Sequence, residues 1–522
     1  MGLLKRGTTE APRGAGQGHS SSVLANTATN YLRQLVNVGA FFVITPMIAT
    51  RLGNDAFGLW SVLQATIGLL GLLDFGFATS VVKFVAETRG QGNADRLKRI
   101  TATLFGVYVV LGLVVITVAF CLTPFLSSLL KIPADKVQTA QIAFILIAFR
   151  SAQAAPMGMF FGILTGFQRQ AWANIVQIVG TVLYSVAAAW ALIVRPSIEM
   201  LAVVSLVTGL ITSVFAATLC AAKCPGISIR YRHFDRRLVR EISSFSVSLF
   251  LVQVSGFIYT RVDALVIQQF LPLAVVAYYS VASRMATEAS GLCRQLTNAL
   301  TPLVAELQGL GDRERIRITF ERGSKLSLAF AAPLLVGLFW FAGDVLAAWM
   351  GEEYRSAGTA CRILLAAMLC SVLHANAANI LSMTGHQKFL AYAFMGGQVA
   401  NLAMTLALVV PLGMNGVALA TLLSTLVVDI MIVQPKAGRI YGFSFFSYYR
   451  AAAWPSLVAS VPMLAAVHFA GRFLAPHSLL NIAALELVGC VVFVLAFVAL
   501  GMNAAERRYY WDRVSRVLRR GR

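Results

Sequence analysis

Runs of about 20 apolar residues recur along the chain from Val23 to Val498. That is the length an α-helix needs to cross the ~30 Å hydrocarbon core of a bilayer. The charged content agrees: 12% of the 522 residues are Asp, Glu, Lys or Arg and 58% are hydrophobic, where a soluble domain carries about 25% charge. The expected fold is an all-α integral membrane protein with about 14 spans between residues 23 and 502. No loop is long enough for a separate soluble domain.

The distribution of Lys and Arg sets the orientation, because cytoplasmic loops keep an excess of them. Placing Lys5, Arg6 and Arg13 inside puts 30 basic residues in cytoplasmic segments and 6 in the opposite ones. Both termini are therefore expected in the cytoplasm. The formal charge of +21 is mainly a topology signal, and no soluble basic face offers itself to nucleic acid. The first 20 residues lack the apolar core of a signal peptide, and Arg6 departs from the myristoylation pattern. They read as a disordered tail.

The chain is duplicated. Val85 to Ile100, VAETRGQGNADRLKRI, and Val304 to Thr319, VAELQGLGDRERIRIT, match at an offset of 219 residues. The same offset superposes Leu52, Trp60, Ser61 and Val62 on Leu271, Tyr279, Ser280 and Val281, and Thr165 to Arg169 on Thr384 to Lys388. The expected organisation is a tail (1–20), a six-helix lobe (21–222), a cytoplasmic linker (223–241), a second six-helix lobe (242–434), two additional helices (449–502) and a basic cytoplasmic tail (503–522). An even number of crossings makes the repeats parallel, and transporters built this way carry substrate between the halves. The segment from Glu506 onward reads as a basic helix lying on the membrane surface.

Polar stripes mark the cavity such a plan implies. At 100° per residue, Arg284, Glu288, Arg294, Gln295 and Asn298 share one arc of about 120° on their helix. Asn30, Arg33 and Asn37 form a stripe on the first span, and Gln253, Thr260, Arg261 and Asp263 mark the seventh. A charge facing lipid at mid-bilayer costs at least ~2.5 kcal/mol, so these stripes face protein or water. Seven basic residues lie within or at the edges of spans: Arg33, Lys83, Arg150, Arg261, Arg284, Arg294 and Arg362. Their excess over the intramembrane acids Asp74, Asp263, Glu288, Asp429 and Glu486 suits a cationic cavity gripping an anion, since arginine offers phosphate a planar fork of donors. The competing reading makes Arg284 with Glu288 a structural pair.

Metal and nucleotide chemistry find little support. The seven Cys are scattered through apolar spans, Cys220 and Cys224 have no companion at ligand spacing, and a lone His374 or His468 in a span reads as a satisfied polar residue. No metal site and no P-loop is expected.

The stretch Ile48 to Glu87 resembles the N-terminal region of bacterial polysaccharide and O-antigen flippases, a branch of the multidrug/oligosaccharidyl-lipid/polysaccharide exporter superfamily. The resemblance rests on Arg51-Leu52-Gly53, Phe57-Gly58-Leu59-Trp60 and Asp74-Phe75-Gly76, with the span count and the basic loop near residue 90. It implies a non-enzyme of the inner membrane that flips an undecaprenyl-pyrophosphate-linked oligosaccharide by alternating access, with that lipid, membrane lipids and other polysaccharide assembly proteins as partners. Arg33, Arg261, Arg284, Arg294, Asn30, Asn37, Gln295 and Asn298 are the expected substrate-binding residues. No cofactor is implied. Proton or sodium coupling would fall to Asp74, Asp263 or Glu288, and an acid beside an arginine gives up ready proton uptake, which favours Asp74. A multidrug or cation antiporter of the same superfamily is the alternative; a membrane glycosyltransferase or polymerase is a further one, for which the short non-cytoplasmic loops leave little room.

Overall fold

The computed structural model describes residues 15–71, 77–243, 262–504 and 506–508; the side-chain surroundings of some helical residues, Gln295 and Asn298 among them, are outside this description. The described chain is helical throughout its regular structure. Its long helices are α1 (Ala15–Leu52), α2 (Asn54–Leu70), α3 (Phe77–Gly90), α4 (Ala94–Leu122), α5 (Val137–Gly166), α6 (Gln170–Val194), α7 (Ile198–Lys223), α8 (Leu273–Gly309), α9 (Arg313–Trp340), α10 (Gly358–Met383), α11 (Gln387–Thr425), α12 (Trp454–Ala470) and α13 (Leu479–Ala496). Among the described residues, ten stretches are long and apolar enough to cross a membrane.

One of these ten, Gln387–Tyr441, runs 55 residues, twice the length a bilayer requires. It folds back on itself. Gly413, after Pro411, leaves the helical region at φ 58° and ψ −141°. The two arms then meet side by side: Ser424 Oγ donates to the Gly397 carbonyl at 2.8 Å, and Asn401 Nδ2 donates to Thr421 Oγ1 at 3.3 Å. Each arm is long enough for one crossing. Small residues let the backbones close, as at Gly416, whose Cβ would lie 2.1 Å from the Leu408 carbonyl oxygen.

The 219-residue offset reappears in the backbone. Asn54 and Leu273 start helices; Gly90 and Gly309 end them; Ala94 and Arg313 start the next pair. Between them Gly92 and Gly311 take positive φ, 66° and 70°, a conformation that costs glycine nothing. Asn93 and Asp312 then cap the following helices by accepting from Arg96 N and Arg315 N. The pairing of helices repeats as well. In the first half α4 and α7 pack on α5, and in the second α9 and α11 pack on α10. Helices α12 and α13 pack on each other and on α9.

α1 already begins at Ala15, inside the segment expected to be a disordered tail. The expected basic surface helix from Glu506 lies almost wholly beyond the described residues, but Glu506 itself pairs with Lys325 at 2.7 Å.

The halves meet along α2 and α8. Gly58 makes this possible: a Cβ there would sit 1.9 Å from the Leu273 carbonyl oxygen. Among the described residues, the hydrogen bonds that join the halves concentrate at the end away from the basic loops. Tyr354 Oη donates to Asn54 Oδ1 at 2.8 Å, and Asn54 Nδ2 donates to Glu353. Gln268 Nε2 and Lys131 Nζ reach across to the Leu130 and Gln269 carbonyls, and Trp349 Nε1 donates to the Phe42 carbonyl. At the opposite end Arg96 and Arg99 pair with Glu241 and Asp235 of the linker region.

Candidate functional site

A cavity of about 1040 Å³ lies between α1, α2, α5, α6 and α7 on one side and α8 with the helical residues 262–270 on the other. Among the described residues its charged lining is Arg150, Arg284, Asp263 and Glu288. Two arginines face two acids, so the described lining is charge-balanced and not the strongly cationic surface expected from the arginine count. The rest is largely hydroxyl, amide and aromatic: Asn37, Ser61, Gln64, Gln177, Thr181, Tyr184, Thr287 and Trp60 all contribute. These groups hydrogen-bond or stack without imposing a charge.

Arg284 is the arginine of the polar stripe that reaches this cavity. Its Nε donates to Glu288 Oε1 at 2.8 Å, and its guanidinium lies 5.4 Å from the Phe41 ring centroid on α1. The Arg284 side chain is 51% exposed and that of Glu288 15%, so the cation is presented to the cavity while the acid is held behind it. Glu288 Oε2 accepts from Gln34 Nε2 of α1 at 3.0 Å. The carboxylate thus ties both its own arginine and the opposite half.

Asp263 accepts from Tyr279 Oη, both lining the cavity. Tyr279 stands 219 residues after Trp60, and the two rings occupy related positions in the duplicated unit.

Arg33, Arg284 and Arg294 do not converge as the stripes suggest. Arg294 turns into the second lobe, where Nη2 donates to Ser371 Oγ of α10 at 3.1 Å. Arg33 and Asn30 stand on α1 outside the lining, and Arg33 Nε is buried without a described hydrogen-bond partner. Much of the α1 stripe binds α6. Asn26 Oδ1 accepts from Ala171 N, Asn174 Nδ2 donates to Thr29 Oγ1, and Thr181 Oγ1 donates to Asn37 Oδ1. The reason is geometric: a polar stripe must avoid lipid, and a neighbouring helix satisfies that demand as well as water does. Asn37 does both, since it also lines the cavity. Arg261 and Asp74 lie outside the described residues, as do the side-chain surroundings of Gln295 and Asn298.

Arg150 enters from the structure. It lines the cavity with no ion pair among the described residues. Gly209 on α7 leaves the room for it: a Cβ there would lie 2.4 Å from Arg150 Nε and 2.5 Å from Gln153 Nε2. In the sequence Arg150 is one of seven intraspan cations, and nothing in its spacing singles it out.

Two helical halves enclosing a polar cavity within a membrane chain have the architecture of a membrane transporter. The fold matches a lipid II flippase, MurJ, in an inward closed conformation (TM-score 0.72, 13% identity, 94% of this chain and 100% of that one). It also matches an inward-facing multidrug resistance transporter (TM-score 0.69, 16% identity, 78% and 95%). The chain belongs to the polysaccharide biosynthesis protein family, whose model matches residues 23–308; the MatE model matches residues 248–407. Relatives include a putative O-antigen transporter of Shigella flexneri (22% identical, covering 79% of this chain and 97% of that one). Others are the probable low-salt glycan biosynthesis flippase Agl15 of Haloferax volcanii (20%, 76% and 79%) and the membrane protein EpsK of Bacillus subtilis (20%, 80% and 83%). The chain is a multi-pass membrane transporter of the flippase class, not an enzyme.

Proposed function

We propose that this protein flips an undecaprenyl-pyrophosphate-linked oligosaccharide across the bacterial inner membrane by alternating access, with both termini and the basic loops in the cytoplasm. The carrying observation is the cavity itself, in which many uncharged hydrogen-bonding groups and Trp60 surround two arginines. A sugar headgroup presents hydroxyls to the former, and its phosphates need the fork of donors that Arg284 and Arg150 offer. Arg284 is preset by Glu288, which yields its partner when an anion arrives. Asp263, whose one described hydrogen-bond donor is Tyr279, is the described acid best placed to exchange a proton or sodium ion, because Glu288 already serves Arg284 and Gln34. Relatives named as glycan flippases and O-antigen transporters support the same substrate class.

The test is complementation of surface polysaccharide in a flippase-null strain, with accumulated lipid-linked oligosaccharide measured beside it. Restored export and cleared precursor are expected. The MatE match and the two cavity acids favour cation antiport as the second reading; efflux of cationic dyes without any effect on precursor would select it.

A further inference from the structure

Inside the second lobe, away from the central cavity, Cys370, His374 and Asp429 bring one sulfur, one nitrogen and one carboxylate oxygen within 4.8 Å of one another. Cys370 and His374 are one turn apart on α10, the spacing that puts two side chains on one face. Asp429 comes from the π-helical turn Leu426–Val433 that ends the α11 hairpin, and Tyr449, from a second π-helical turn (Tyr449–Ala453), hydrogen-bonds His374 Nε2. Such turns are rare and frequent at functional sites.

Asp429 is 8% exposed; its carbonyl accepts from Gln434 N, and its carboxylate accepts no hydrogen bond from a described residue. The nearby Arg294 guanidinium acts on it through space alone. A largely buried carboxylate is stabilised by a cation bonded directly to it. We infer that Cys370 Sγ, His374 Nδ1 and the Asp429 carboxylate form a binding site for a borderline-soft divalent metal of the zinc class.

Three features support this assignment. The Cys370 Sγ to His374 Nδ1 separation is 3.6 Å, and tetrahedral zinc with bonds of about 2.3 Å to sulfur and about 2.0 Å to nitrogen requires an edge of about 3.5 Å. A metal-bound histidine donates its other ring N–H to a fixed acceptor, and Tyr449 Oη stands at Nε2 to receive it. A thiolate and a carboxylate together neutralise a divalent ion, so the complex carries no net charge into a low-dielectric interior. The sulfur and imidazole ligands disfavour sodium, magnesium and calcium, which take oxygen.

Without metal, His374 Nδ1 donates to the Cys370 carbonyl at 2.8 Å. On uptake the Cys370 S–H bond breaks and its proton leaves to solvent. The ring proton passes from Nδ1 to Nε2, and the metal forms bonds to sulfur, Nδ1 and carboxylate oxygen, leaving a fourth position for water. The bound ion would join α10, the hairpin and the start of the added helices.

The experiment titrates Co2+ into the purified full-length protein in detergent and follows sulfur-to-cobalt charge-transfer and tetrahedral d–d absorption. One equivalent of Co2+, displaced by Zn2+ and untouched by excess Na+ or Mg2+, is expected. Cys370→Ser should abolish the sulfur band. His374→Ala and Asp429→Asn should each weaken binding by at least ~100-fold, and Tyr449→Phe by about 10-fold, as for other outer-shell partners. Cys121→Ser, at an exposed cysteine, should change nothing. Monodisperse elution and wild-type helicity show that each variant folds. Absence of the sulfur band in folded protein, or a band that survives Cys370→Ser, would overturn the site and leave Asp429 to be neutralised by a proton. Because no substrate is present, the result is independent of the glycan reading.

Discussion

Gln34 of α1 donates to Glu288 of α8 at 3.0 Å, across 254 residues of sequence. The same carboxylate holds Arg284, so one acid couples the contact between the halves to the orientation of the cavity cation.

This coupling sets the first prediction. Arg284→Ala should leave export near background at normal membrane abundance, because it removes one of the two described cavity arginines. Arg284→Lys should retain part of the activity, keeping charge but not the bidentate fork. Glu288→Gln should be milder, since it removes a partner and not a substrate contact. Export in the flippase-null strain, normalised to membrane abundance, checks all three; full export by Arg284→Ala would make the pair structural.

Gly58 carries the second. Its hypothetical Cβ meets backbone at the Leu273 carbonyl, which cannot rotate away as a side chain can. Gly58→Ala should therefore force α2 and α8 apart, at a cost of about 1–3 kcal/mol for an overpacked contact. Spin labels at the exposed Asp135 and Ser356 should report a longer, broader distance distribution; an unchanged distribution would rule out the wedge.

The third concerns Arg150. Gly209→Ala would place a methyl where the guanidinium and Gln153 now lie. The arginine can swing, so the fold should survive while export falls several-fold, and Arg150→Ala should fall at least as far. Wild-type export by a stably expressed Gly209→Ala would show that the position of Arg150 is immaterial.

Arg294 should behave differently. Its bond to Ser371 lies within the second lobe, and a hydrogen bond to a charged group contributes about 1.5–3 kcal/mol. Arg294→Ala should lower thermal stability and abundance, with export falling only in proportion. A thermally stable, abundant, inactive variant would return Arg294 to the substrate path.

The sequence determined the solvent and the helical class, because both are written in local composition. Apolar run length answers directly to bilayer thickness, and Gly92 and Gly311 answer to a turn that requires positive φ. The resemblance motif also has local causes, since Gly58 is where two helices touch backbone to backbone. Which polar residues share a cavity was decided only by the tertiary structure. Periodicity shows that a stripe cannot face lipid, but a neighbouring helix and a water-filled cavity relieve the same desolvation cost. Asn26 and Thr29 therefore bind α6, Arg294 turns to Ser371, and Arg284 alone among the described stripe arginines meets the cavity. Cys370, His374 and Asp429 illustrate the same limit. Two of them are legible as one helix face, and the third is supplied by a chain reversal at Gly413 whose packing no local spacing encodes.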